Sequence, residues 1–142
     1  MPDKFLVIDA NILIRAVLGN RVRWLINHYG DSVAFYIAEA NLKEAGFYLS
    51  HSLAQKRNLD EADWRSVFDG VLNTVQIVPD SSLAGFEDRA RARIGGRDPN
   101  DWPAVAVALI LDCPVWTEDR DFFGAAVATW TTATVELYLR DE

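Results

Sequence analysis

Short β-rich apolar runs alternate along the chain with longer stretches whose apolar residues recur at helical spacing. Phe5-Leu6-Val7-Ile8 is continuously apolar, as in a strand covered on both faces of a parallel sheet. It ends on Asp9-Ala10-Asn11, after which Ile12 to Leu18 reads as a helix that Asn11 is placed to cap and that stops near Gly19. Arg21 to His28 predicts a second, short helix and Val33 to Ile37 a second strand. Glu39 to Ala54 predicts a helix with Leu42, Ala45, Leu49 and Leu53 along its apolar side. Asp60 is placed to cap a helix from Glu61 to Leu72, and Val75 to Val78 predicts a third strand closed by Pro79. Ser81 or Ser82 is placed to cap a further helix to Ile94, which Gly95-Gly96 ends.

The stretch from Arg97 to Phe122 differs from the rest. Ala104 to Leu111 is almost wholly apolar, the pattern of a helix covered on most sides. Asn100 or Asp101 can cap it, Pro103 is tolerated in its first turn, and Cys113-Pro114 is expected to end it. Pro114 to Trp116 predicts a short strand running into Thr117, Glu118, Asp119 and Asp121. Ala126 to Trp130 and Thr132 to Leu139 predict a last small strand and a terminal helix. Strands alternating with helices define a three-layer α/β/α fold with a mainly parallel central sheet and right-handed crossovers. Without a repeat or linker, residues 1–142 are expected to form a single domain.

Charge narrows the function. With 14 Lys and Arg against 21 Asp and Glu, the net charge is −7. That argues against nonspecific coating of nucleic acid, which relies on neutralising phosphates. It leaves room for an enzyme whose acids surround a cation. Cys113 is the sole cysteine, so no intrachain disulfide is expected. No signal-peptide pattern or bilayer-length apolar run is present, and a cytoplasmic protein is expected.

The acids fall where an α/β fold would gather them. Loops at the carboxyl ends of parallel strands meet where strand order reverses. Asp9 follows the first predicted strand, and Asp119 and Asp121 follow the fourth. Asp98 and Asp101 precede the apolar helix, reaching the same edge if the Gly95–Asn100 loop crosses there; Glu44 lies on the helix after the second strand. Grouped carboxylates repel one another unless a cation neutralises them. Hard oxygen donors suit Mg²⁺ or Mn²⁺, and His28 and His51 lie too far from the acidic motifs for a zinc set. Carboxylates with such an ion and no evident protein nucleophile point to hydrolysis of a phosphodiester by activated water.

These residues resemble the PIN domain family of small metal-dependent ribonucleases, which includes VapC-type toxins. The resemblance rests on Val7-Ile8-Asp9-Ala10-Asn11, on Ala38-Glu39 through Glu44, on Asp98-x-x-Asp101 before the Ala-rich helix, and on Trp116 through Phe122. It implies that Asp9, Glu44, Asp101 and Asp119 are the catalytic and metal-holding acids. Asn11 and Thr117 would orient them, with Asp98 and Asp121 auxiliary. Glu39 competes for the helix position but is expected to serve the helix start. The family further implies RNA as substrate, an antitoxin protein partner and a homodimer. Arg93 and Arg97 are candidates for holding phosphate and Trp102 for stacking on a base. A haloacid-dehalogenase-like phosphatase also places an Asp after its first strand, but needs a second one where Asn11 stands. The other competitor is a PIN-like protein-binding module without catalysis. A set of four buried acids argues against it.

Overall fold

In the computed structural model, which describes residues 4–53, 60–94, 101–119, 122, 124 and 127–140, the sheet is built from β1 (Lys4–Ile8), β2 (Val33–Ala38), β3 (Val75–Val78), β4 (Val115–Trp116) and β5 (Thr129–Trp130). All four pairings are parallel, in the order β3-β2-β1-β4-β5. The chain first winds outward from β1 to β3. It then crosses back to place β4 on the other side of β1, with Val7 opposite Val115 and Ile8 opposite Trp116. The carboxyl ends of β1 and β4 therefore lie side by side at the reversal.

Strand alternation divides the core into two layers. Leu6, Ile8, Phe35, Ile37 and Trp116 face α1 (Ala10–Leu18), α2 (Arg21–Tyr29), α3 (Glu39–Phe47), α4 (Glu61–Leu72) and α7 (Val135–Leu139). On the other face Val7, Ala38 and Val115 pack under α5 (Glu87–Ile94) and α6 (Trp102–Leu111), with Leu83 and Phe122 filling the edges. The result is the expected α/β/α sandwich. In α6 every residue from Pro103 to Ala108 is buried, so the uniform apolar run is a helix covered nearly all round.

Several boundaries differ from expectation, each for a local reason. α1 begins at Ala10 rather than Ile12, because the extended residue that caps it is Asp9 and not Asn11. α3 stops at Phe47 and continues as a wider π-type turn over Tyr48–Leu53; residue 54 lies outside the described residues. Neither Ser81 nor Ser82 caps a helix. Asp80–Ser82 and Ala84–Phe86 form tight turns closed by Ser82 N–H to Pro79 O (3.0 Å) and Phe86 N–H to Leu83 O (2.9 Å), and α5 starts only at Glu87. α6 ends at Leu111, two residues before Cys113: Asp112 between them is left-handed at φ 51°, and the Cys113 N–H returns to Ala108 O (3.1 Å). β5 is confined to Thr129–Trp130, and α7 begins at Val135 after a turn. The Asp60 cap is as expected, its carboxylate accepting from Ala62 N–H at 3.0 Å. The Gly95-Gly96 stop lies outside the described residues.

Asp112 is exposed, and among the described residues it alone has positive φ without being glycine. A left-handed backbone costs an L-residue about 1–2 kcal/mol, less for Asp than for a β-branched residue. Urea unfolding is therefore expected to show Asp112→Gly more stable than the parent by up to about 1 kcal/mol and Asp112→Val less stable by a similar amount.

Candidate functional site

Asp9 leaves the sheet at the end of β1 with its backbone N–H still bonded to Trp116 O of β4 (3.1 Å). The residue is 4% exposed. Oδ1 accepts the Ala10 N–H (2.8 Å), and Oδ2 accepts both the Asn11 amide (2.9 Å) and the Thr117 hydroxyl (2.8 Å). The Thr117 oxygen also accepts the Asn11 amide (3.1 Å) and the Asp119 backbone N–H (2.9 Å), so its one proton and two lone pairs are all used. Asn11 Oδ1 accepts the Glu118 N–H (3.2 Å), which fixes which way the amide faces. The Glu118 carboxylate in turn accepts the Thr132 N–H (2.7 Å). This network ties the loop after β1 to the loop after β4, across 106 residues of sequence.

Asp101 stands at the start of α6 and is 8% exposed. It makes no capping bond to the helix. α6 leads straight back into β4, so it runs antiparallel to the strands and its first residue arrives at their carboxyl edge. Asp9, Asp101 and Asp119 each offer an oxygen, and the three oxygens lie within 4.8 Å of one another. Asp119 is half-buried. Glu44 lines the same cleft, of about 370 Å³, with Arg15 and Tyr48.

Expectation and geometry part at Glu44. It is exposed, not buried, because α3 turns Asn41 and Ala45 inward and leaves Glu44 on the rim. Glu39 is committed elsewhere: its carboxylate accepts the Asp80 N–H at 3.0 Å and meets Lys43 at 3.5 Å. Trp102 lines a neighbouring cleft with Asn41, Glu44 and Glu87. Its ring carries the Arg91 guanidinium at 5.3 Å, so Arg91 points toward Trp102. Arg93 is exposed on α5. Arg97, Asp98 and Asp121 lie outside the described residues. Sequence reasoning passed over Arg15 and Tyr48. Arg15 is four residues beyond Asn11 on α1, a spacing that puts it on the same helix face. Tyr48 carried no such signal.

Burial is the largest influence on Asp9 and raises its pKa from 3.8 to about 6, against the pull of the Thr117 and Ala10 hydrogen bonds; the charges of Glu44 and Asp119 push the same way as burial. The arrangement is electrostatically costly as it stands and suited to a cation, with a donor set entirely of hard oxygens.

An α/β sandwich with buried acids at its strand-order reversal is the class that fold and crevice define. A PIN domain family model matches residues 7–140, and the chain belongs to the PIN domain family. Solved structures share the fold. PAE2754 from Pyrobaculum aerophilum is 24% identical, with 96% of this chain and 88% of that one covered and a TM-score of 0.64. VapBC2 from Rickettsia felis, bound to a DNA fragment from its promoter, is 14% identical, with 89% and 98% covered and a TM-score of 0.69. FitAcB from Neisseria gonorrhoeae is 20% identical, with 90% and 98% covered and a TM-score of 0.65. No curated protein matches the chain. No helix among the described residues is long and apolar enough to cross a membrane.

The raised Asp9 pKa has a definite sign. A carboxyl that holds its proton more tightly when folded adds stability that is complete below pH 3.8 and lost as pH rises through about 6. The full effect is at most about 3 kcal/mol. In EDTA, the urea midpoint of the wild type is expected to fall between pH 4 and 7 more steeply than that of Asp9→Asn; equal slopes would refute the assignment.

Proposed function

We propose that the chain is a Mg²⁺- or Mn²⁺-dependent endoribonuclease, with residues 1–142 working as one domain. The carrying observation is that three oxygens, from Asp9, Asp101 and Asp119, gather within 4.8 Å at the end of a buried strand. Asp9, Asp101 and Asp119 would hold the ion, with Glu44 reaching it from the rim of the cleft. When bound, such an ion acidifies water and neutralises charge on a phosphodiester.

The chain's own residues do the positioning. Thr117 and Asn11 each donate to Asp9 Oδ2, so this carboxylate is held in one rotamer and presents its remaining lone pairs toward the cleft. Thr117 also holds the backbone of Asp119, which sets the separation of two of the acids. The N-terminus of α1 lies beside Asp9 and favours its charged form. Burial excludes water from all but the open side, which is where an RNA phosphate would enter. RNA rather than DNA follows from the family. An antitoxin covering the cleft is part of the same reading, in keeping with the fold likeness to the VapBC2 and FitAcB structures, and a homodimer is proposed from the family alone. The cytoplasm is the compartment proposed.

Labelled single-stranded RNA incubated with purified protein tests this. Cleavage is expected with Mn²⁺, and none with EDTA. Asp9→Asn and Asp119→Asn, folded by circular dichroism, should each be slower by about 100-fold or more. Thr117→Val should lose about 10- to 100-fold, since it leaves the acids in place but unoriented. Equal cleavage by parent and Asp119→Asn would place the activity elsewhere. Absence of both cleavage and Mn²⁺ binding would favour a non-catalytic PIN module.

A further inference from the structure

The carboxylate cleft does not stand alone. A second cleft of about 530 Å³ adjoins it, and the two share Ile14, Arg15 and Tyr48 as a common ridge. Their charge is opposite in kind. The first is walled by four acids, whereas no acidic residue lines the second among the described residues, and it carries Arg15 and Arg21. Glu136 offsets the charge of Arg21 at 2.8 Å, so Arg15 is the cation that sets this cleft apart from the acidic one.

Arg15 is the pivotal side chain. It is exposed in the last turn of α1 and lines both clefts. Among the described residues its guanidinium has no hydrogen-bond, ion-pair or aromatic partner, although acids line the adjoining wall. Other surface cations are spoken for: Arg21 meets Glu136 at 2.8 Å, Arg65 meets Glu61 at 3.2 Å, and Arg91 meets Glu87 at 2.7 Å. Tyr48, 40% exposed on the same ridge, has no aromatic neighbour among the described residues. An exposed guanidinium and a 40% exposed aromatic ring lining the same clefts are the pairing that a flexible single strand uses, one for its phosphate and the other for its base.

We propose that single-stranded RNA leaves the carboxylate cleft over the Arg15–Tyr48 ridge and continues into the Arg21-lined cleft, with Arg15 holding the phosphate next to the scissile one and Tyr48 stacking on the intervening base. The assignment rests on the nuclease reading above and adds the path of the substrate to it. Arg15 and Tyr48 bind substrate here without acting on the reacting atoms.

The test is fluorescence anisotropy of a labelled 12-nucleotide single-stranded RNA with Asp119→Asn protein in EDTA, so that nothing is cleaved. Adding Arg15→Gln is expected to weaken binding about fivefold at 100 mM salt and to flatten the log–log salt dependence by about 0.7, the value of one phosphate contact on a single strand. Arg15→Lys should keep the slope. Tyr48→Leu should weaken binding with the slope unchanged, and Tyr48→Phe should bind as the parent does. Arg65→Gln, which lines neither cleft, is the control for bulk charge. In the otherwise wild-type enzyme, Arg15→Gln should raise KM and leave kcat in place. RNA that binds the Asp119→Asn parent with affinity and slope indifferent to Arg15→Gln overturns the path and spares the nuclease reading. RNA that binds the parent neither in EDTA nor with Mn²⁺ overturns both.

Discussion

Everything at the crevice depends on the two-residue ladder between β1 and β4. Val7 and Ile8 pair with Val115 and Trp116, and the Asp9 N–H continues the register to Trp116 O. That short contact brings two loops from opposite ends of the chain into hydrogen-bond range. Once they are there, Thr117 and Asn11 satisfy the lone pairs of a carboxylate that would otherwise be buried at great cost. Removing one partner would strand the others, because the Thr117 hydroxyl and the Asn11 amide each bond to more than one group of the network. The same register decides which residues can belong to the site at all. Side chains alternate along β1, so Asp9 must emerge from the end of the strand; one residue earlier it would point into the packed core.

The second constraint is α6. A helix buried from Pro103 to Ala108 has little freedom to slide, since small and branched side chains meet the sheet and α5 on nearly every side. Its position determines where Asp101 stands. Asp101 contributes its carboxylate to the crevice and not to its own helix, although Asp at that position ordinarily caps. Local preference has given way to the requirements of the cluster, as is common where a fold carries chemistry.

Much of this was legible in the residues. The apolar runs at Phe5–Ile8, Val33–Ile37 and Val75–Val78 fall on strands within a residue or so, because an unbroken β-branched run bounded by polar residues has few other uses. Parallel strands bring Asp9 and Asp119 to one edge from their order alone, whereas Asp101 joined them only on the condition that the chain crosses there before its helix, and the structure brings all three together. Other features were hidden for physical reasons. Asp9 caps α1 because its backbone is extended at the strand end, which sequence does not distinguish from a cap at Asn11. Glu44 is exposed because α3 buries Asn41 and Ala45 instead, and both Asn41 and Glu44 fit a helical pattern equally well. The tight turns at Asp80–Phe86 depend on a distant carboxylate, Glu39, that holds the Asp80 N–H. Tyr48 gained its place from a widened helical turn that has no compositional signature.

The brevity of β4 carries its own implication. Strands of two residues contribute little cooperative stability, and regions with few backbone pairings open on their own, well below the free energy of global unfolding. The segment Thr117–Asp119 hangs from this weakest part of the sheet, while Asp9 is anchored in its centre. Amide exchange of the Thr117 and Asp119 N–H groups, which bond to Trp130 O and to the Thr117 hydroxyl, is therefore expected to be faster in EDTA than with Mn²⁺. The loop after β4 thus serves as a built-in reporter of what the crevice holds.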